Sequence, residues 1–454
     1  VENFRARVIA VDNMENISSS EYKTVGVKFI NGEMTMAHRN SSYPEGIDEG
    51  GWRLISWPGV PQDLSLAKSK LKEGHIFYQY NPLSEEYIIP GIIEIGSAYW
   101  FKHKYDEPVV FEEDTSSSLP LENYKISLKQ GWNMIGSPFS FSVPFEKDST
   151  VGDLFTFGNQ DKDGWSSSQN TLEPWRGYAV YANDTAKITL LPFGEIENSA
   201  KRIIASDEWV LNLRLDSESY FNYSTTVGRK NHASNTLDSY DTPRLIDLNN
   251  NLSIVTNLDG LKTNSYIRDI RSTEDFNGVW DLRIESESDE NMILFSGLFE
   301  GPTSKDLHVS IVDIQKRAIE YDFPGSSIEI QHKTSLSYDF KLVAGDLDYV
   351  IQKSENILEN IPEEYALSQN YPNPFNPITK MNYQLPKRSR VIISIYNVVG
   401  QEVRTLLNED QDYGVHSITW NGVDQYGKAM ATGVYFARMS TGSFSQTKKM
   451  LLLK

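Results

Sequence analysis

The sequence predicts an all-β, multidomain chain of β-sandwich modules with few short helices, and three observations carry that expectation. Aromatic residues make up 12% of the chain, with 24 Tyr and 9 Trp, and they sit among Ser, Thr, Asn and Asp in the mixture that suits short strands joined by polar turns. Segment after segment alternates apolar and polar residues with period two, as a strand covered on one face requires. At 454 residues the chain exceeds what one hydrophobic core organises, so several cores are expected.

The first strands read as a hairpin. Phe4 to Val11 and Tyr22 to Phe29 alternate on either side of the polar turn Asp12-Asn13-Met14-Glu15-Asn16. Val8, Ala10, Asp12, Asn16 and Ser18 resemble the final hairpin of a fibronectin type III or related immunoglobulin-like (Ig-like) module, with Glu15 where such hairpins usually carry Gly. Residues 1–49 are therefore read as a partial module of that kind. A lone hairpin is marginal in water, so this one is expected to pack on something else.

An internal repeat follows. Gly51-Trp52-Arg53-Leu54-Ile55-Ser56-Trp57-Pro58 recurs 80 residues on as Gly131-Trp132-Asn133-Met134-Ile135-Gly136-Ser137-Pro138. Gly96-Ser97-Ala98-Tyr99-Trp100-Phe101 corresponds to Trp175-Arg176-Gly177-Tyr178-Ala179-Val180, and Val109-Val110-Phe111 to Ile188-Thr189-Leu190, both at 79. Two β units, 50–121 and 122–198, are expected, each with a Gly-Trp strand, one short helix (Leu64 to Lys72; Val151 to Phe155) and an aromatic hairpin. Matched aromatics such as Trp52 and Trp132 could stack on a sugar ring, but beside Leu54, Ile55, Met134 and Ile135 they are expected to be core anchors.

Residues 205–350 return to strand and turn, with runs at Trp209–Leu215, Gly278–Ile284, Ser326–Gln331 and Tyr338–Val343, and predict a further sandwich. Asp238 to Pro243 and Arg268 to Arg271 are loosely similar to sandwich modules of secreted multidomain proteins. Residues 351–369 turn acidic around Pro362, with Glu355, Glu359, Glu363 and Glu364, and read as an exposed linker.

The last segment, 370–454, is the most informative. Tyr371-Pro372-Asn373-Pro374-Phe375-Asn376-Pro377 places three prolines in six residues, which forces an extended start. Strands are then expected over Met381–Leu385, Val391–Tyr396, His416–Trp420 and Gly433–Met439, with turns at Val399-Gly400, Asn421-Gly422, Tyr426-Gly427 and Thr441-Gly442. Together with Trp420, Tyr435 and the closing Lys448-Lys449-Met450, these residues resemble the C-terminal sorting domain of the type IX secretion system of Gram-negative bacteria. They are also similar to the Ig-like domain of flagellar hook-capping protein. The sorting resemblance implies a chain that crosses the outer membrane folded, with this Ig-like domain as its address. It also implies, as partners, the outer-membrane type IX machinery, a sortase-like peptidase cutting near 352–370, and surface lipopolysaccharide. The implied location is extracellular or on the outer cell surface.

Composition narrows the chemistry. A net charge of −19 offers no footprint for nucleic acid. The absence of cysteine removes disulfides, thiolate metal sites and Cys nucleophiles. The apolar runs are far short of the ~20 residues a membrane-spanning helix needs. The start at Val1, without a signal-peptide pattern, reads as a processed or truncated end. The histidines (His38, His75, His103, His232, His308, His332, His416) lack metal-type spacing, and no HExxH, GxSxG, phosphate loop or dinucleotide fingerprint occurs. Asp161-Lys162-Asp163-Gly164 starts like a calcium loop, but Leu172 stands where the closing Glu is required. Glu112-Glu113 and Glu363-Glu364 read as solvated faces. No catalytic, cofactor or metal residues are therefore expected. The expected function is a non-catalytic, surface-associated structural or adhesive protein, or the rear of a larger exoprotein. A filament or surface-layer subunit that self-associates by strand addition is the alternative, and a carbohydrate-binding accessory region the third.

Overall fold

The computed structural model describes residues 3–6, 9–11, 17–19, 23–26, 33–35, 52–61, 75–103, 115–117, 119, 122–139, 141–158, 162–168, 170–192, 208–244, 252–257, 265–287, 291–331, 336–442 and 444–453. The fold is all-β, with one helix among the described residues. It divides into two compact units. One holds Val1–Glu274, Ile284–Ser304 and Ser327–Leu336; the other holds Asp275–Arg283, Lys305–Ser326 and Ser337–Lys454. The expected sandwich over 205–350 is thus shared between the two.

In the first unit, strand Asn3–Ala6 pairs with Lys23–Gly26, Phe4 opposite Val25, and Ile9–Val11 pairs with Ile17–Ser19. The two repeat segments then build sheets with matching strand order. Arg53–Ser56, Ala98–Lys102, Ile76–Asn81 and Glu86–Ile88 lie side by side in one sheet. Gly131–Gly136, Gly177–Ala182, Val151–Phe157 and Asp163–Ser168 follow the same sequence in the other.

Contacts between the repeat segments are reciprocal. Ser56 N–H donates to Trp175 O at 2.9 Å, and Gly136 N–H donates to Gly96 O at 3.0 Å. Glu94 N–H donates to the Tyr99 hydroxyl at 2.6 Å, as Glu173 N–H does to that of Tyr178 at 2.8 Å. The partners in the first pair of bonds are related by the offsets of 80 and 79 read in the sequence, and those in the second by 79. At Gly177 the approach is so close that an added Cβ would lie 2.7 Å from Ala98 Cβ.

The short helix expected at Val151–Phe155 is instead strand Val151–Phe157. Its Val, Leu, Phe and Thr residues fit a strand paired on both edges, with a register shift between Val151 and Leu154 absorbing the Gly152-Asp153 step. The other expected helix, Leu64 to Lys72, lies outside the described residues. Trp100, Trp132, Phe155, Phe157 and Trp165 share one core with Leu54 and Ala98. All are buried, with Trp100 and Trp165 meeting edge to face at 5.7 Å. Strand Tyr220–Lys230 runs parallel to Asp163–Ser168 and to Ser265–Ser272, and extends this sheet.

In the second unit, Leu336–Gly345 lies between Gly278–Ser286 and His308–Asp313. Helix α1 (Leu347–Asn360) packs on these strands. The stretch read as a linker over 351–369 is therefore helical for its first half. Asp346 caps the helix by accepting Tyr349 N–H at 2.9 Å. Val350, Ile357, Leu358 and Ile361, at helical spacing, face a core with Val312 and Val343. The small Ser354 permits close approach, its hydroxyl 2.8 Å from that of Ser310.

The C-terminal residues form a two-sheet sandwich. One sheet orders Ala366–Leu367, Thr379–Leu385 and Gly414–Trp420; the other orders Glu402–Gln411, Ser389–Tyr396, Gly433–Thr441 and Phe444–Leu452. Strict alternation over Thr379–Leu385 sends Met381, Tyr383 and Leu385 inward against Val391, Ile393, Ile395, Met439 and Met450.

Candidate functional site

The residues that single out the C-terminal segment converge on one end of this sandwich. Thr379 pairs with Trp420 where one sheet begins. Gly433 pairs with Leu452, and Tyr396 with Glu402, at the corresponding end of the other. Phe375 joins the two: its N–H donates to Leu451 O at 3.0 Å, and its carbonyl accepts Leu453 N–H at 2.9 Å. The Phe375 ring is buried against Trp420, centroids 5.5 Å apart, and Trp420 meets Tyr435 edge to face at 5.1 Å. The polar tips are satisfied locally, Trp420 Nε1 donating to Val423 O and the Tyr435 hydroxyl to Ala431 O, both at 2.9 Å.

The proline-rich opening is held by side-chain amides. Buried Asn370 donates through Nδ2 to Pro372 O at 3.0 Å and to Thr379 Oγ1 at 2.9 Å. Asn373 Oδ1 accepts Leu451 N–H at 2.9 Å, while Asn373 Nδ2 and Gln369 Nε2 both donate to Lys449 O, at 3.3 and 2.7 Å. The opening motif and the closing Lys448-Lys449-Met450 run, nearly eighty residues apart in sequence, are thereby neighbours. The peptide bonds before Pro372 and Pro374 are cis.

The turn glycines close the same end. Gly422 has φ +67°, and a Cβ there would meet Pro377 O at 3.0 Å, so both conformation and space select glycine. Gly400 N–H donates to Asn397 O and Gly427 N–H to Asp424 O, each ending a tight turn built on an Asn or Asp side chain.

Around this buried anchor several large apolar side chains are exposed among polar ones. Tyr371 is 82% exposed, Tyr426 85% and Val399 72%. Ile378 and Val398 are exposed too, and Pro372, Pro374, Asn376 and Pro377 lie outward. Lys449 projects from the last strand, and Lys448 is half-buried. Of the fifteen residues that carry the resemblance, Phe375, Trp420 and Tyr435 build the core. The prolines, Tyr371 and Asn376 form the outer face. Asn370, Gln369 and Thr379, which hold the opening in place, are not among the residues that carry the resemblance; the position of Asn370 directly before the Pro-rich run is the signal that marks it.

Elsewhere, no group of three or more His, Asp or Glu among the described residues could hold a metal ion. Asp163 starts a strand and pairs with Arg53 at 2.5 Å. In the first unit a cleft of roughly 370 Å³, open mouth included, is lined by Trp132, Phe155, Trp165, Asn222 and Arg244. Its polar groups engage one another: Arg244 reaches Glu285 at 2.6 Å and Ser253 at 3.1 Å.

Residues 378–443 match the FlgD Ig-like domain family, in agreement with the Ig-like reading of the segment. No curated protein matches the chain in sequence. Among solved structures, PorZ of Porphyromonas gingivalis, a surface component of its type IX secretion system, matches at 15% identity over 25% of this chain and 14% of its own, with a TM-score of 0.15. Dimeric latent PorU of the same organism matches at 11% identity over 81% of this chain and 36% of its own, with a TM-score of 0.18. The chain thus spans well under two thirds of the length of either.

Proposed function

We propose that the chain is a secreted, cell-surface-associated, non-catalytic structural or adhesive protein, exported by the type IX pathway with residues 370–454 as its address. The observation that carries this reading is the convergence of the signature residues on one end of the Ig-like domain. There Phe375, Trp420 and Tyr435 are buried in one core, while Tyr371, Ile378, Val399 and Tyr426 are exposed. Exposed large apolar side chains of this kind suit docking to another protein. The other described parts of the chain supply stacked, well-filled sheets, which suit a spacer or adhesive surface.

The test is export of the full chain in a Gram-negative host with and without a working type IX pathway. Surface protein in the first and periplasmic protein in the second support the proposal; equal surface amounts reject it.

A second reading is a filament or surface-layer subunit. Strands Asn3–Ala6 and Lys23–Gly26 pair with each other and with no third strand among the described residues, which leaves edges for strand addition by another copy. Sedimentation of concentrated protein decides it, since a monomer at all concentrations removes the reading.

A further inference from the structure

We propose that the junction ahead of the Ig-like domain is a closed clip, which an endopeptidase enters only after a latch formed by the Asp412-Tyr413 turn has opened. The biological meaning of the clip rests on the reading of residues 370–454 as an export address; the clip itself does not.

Both ends of the junction are fixed. On the upstream side Ile361 is buried beneath α1. Arg317 donates through Nη1 to Ile361 O at 2.8 Å and through Nη2 to Leu358 O at 3.1 Å, and stands 3.8 Å from Glu363. On the downstream side the Tyr365 ring stacks on Phe444 at 5.5 Å, and its hydroxyl lies 2.7 Å from Ser389 Oγ. Ala366 and Leu367 pair with Gln384 and Tyr383, Leu367 is buried, and Leu367 N–H donates to the Gln446 side chain at 2.5 Å.

Only Pro362, Glu363 and Glu364 remain between these anchors. Three residues reach roughly 10 Å when fully extended. A protease cleft pairs with a longer extended segment, in the manner of an added strand, so one anchor has to be released first.

The latch shares the core of the upstream anchor. The turn joining Glu402–Gln411 to Gly414–Trp420 places Tyr413 against the cluster of Val312, Val343, Val350 and Ile361. Asp412 accepts from Arg283 Nη2 at 2.9 Å and lies 3.6 Å from Arg388, while Arg283 Nε donates to Asp339 at 2.8 Å. The Lys341 ammonium, paired with Asp281, sits 5.9 Å from the Tyr413 ring centroid. Withdrawing the turn uncovers the cluster that holds Ile361 and slackens the clip.

The experiment is limited digestion of the purified full chain with a glutamyl endopeptidase, following by mass the C-terminal fragments made by cuts after Glu363 or Glu364. The native chain is expected to yield them at least 100-fold more slowly than the same chain unfolded in urea. Tyr413→Ala and the milder Asp412→Asn are expected to speed those cuts at least 10-fold and about 3-fold, with the melting transition of the Ig-like domain retained. Native cutting at the unfolded rate, or no acceleration in Asp412→Asn and Arg317→Ala, overturns the clip. Failed surface export with a resistant junction would count against the export reading alone; normal export with a readily cut junction would count against the clip alone.

Discussion

The side chain of Asn373 holds the backbone of Leu451, its carboxamide oxygen accepting the Leu451 N–H at 2.9 Å while its amide reaches Lys449 O. One residue of the opening motif thus helps to secure the outer edge of the last strand, together with Phe375, which bonds Leu451 O and Leu453 N–H, and Gln369, which donates to Lys449 O. Asn373→Ala is expected to lower the stability of the Ig-like domain by about 0.5–1.5 kcal/mol, since water replaces part of what is lost at this exposed edge. Calorimetry checks this, and hydrogen exchange at Leu451 should accelerate.

Phe375 and Tyr371 separate structure from surface. Phe375→Ala removes the buried ring against Trp420 and should cost about 3–5 kcal/mol. Tyr371→Ala, at a residue 82% exposed, should change stability by less than about 0.5 kcal/mol. Urea titration distinguishes the two. On the proposed reading both impair export, Phe375→Ala by unfolding and Tyr371→Ala with the domain intact.

Gly422→Ala combines a left-handed backbone with a Cβ 3.0 Å from Pro377 O, and is expected to cost more than about 1 kcal/mol. Gly427→Ala shares the positive φ of +81° but meets nothing within 4 Å, so it should cost less. Thermal melting of the two variants in parallel tests this order.

Asp241 gives a pH dependence. Burial, reinforced by the neighbouring Asp269 and Asp238 carboxylates, pushes its carboxyl up to about 7, against backbone hydrogen bonds from Asp238 and Ile270. Between about pH 4 and 7 the folded chain holds a proton that the unfolded chain releases. Its contribution is therefore fully present below the ordinary carboxylate range and lost as pH rises to 7, by at most about 1.4 kcal/mol per pH unit. Burial raises Asp163, Asp313 and Asp339 in the same direction, so the informative comparison is with Asp241→Asn. That variant should lose one proton's worth of slope in urea titrations between pH 5 and 7.

The sequence is most legible where one local rule governs each residue. Over Thr379–Leu385 every second side chain is buried, and Gly400, Gly422, Gly427 and Gly442 all have positive φ, so alternation and turn chemistry read four strands of the domain, whereas the half-exposed strands Glu402–Gln411 and Phe444–Leu452 were not expected. Helix α1 was missed because its acidic surface and Pro362 suggest a linker, although Val350, Ile357, Leu358 and Ile361 follow Asp346 at helical spacing. Val151–Phe157 was misread because Gly152 and Asp153 interrupt its alternation where the register shifts. The alliance of Asp275–Arg283 with the C-terminal unit depends on contacts such as Arg283 with Asp412, which no periodicity announces. At the candidate site, the motif residues were visible but the amides that fasten them were not, because their partners are backbone atoms distant in sequence.

The most direct test of the central claim is cell fractionation of the full chain and a quadruple variant, Tyr371→Ser, Ile378→Ser, Val399→Ser and Tyr426→Ser, in a Gram-negative host with the type IX pathway. All four side chains are exposed, so the variant is expected to fold. The account predicts wild-type protein on the cell surface and folded variant retained in the periplasm. Equal surface display of the two, or unchanged display of the wild type in a host lacking the pathway, would contradict it.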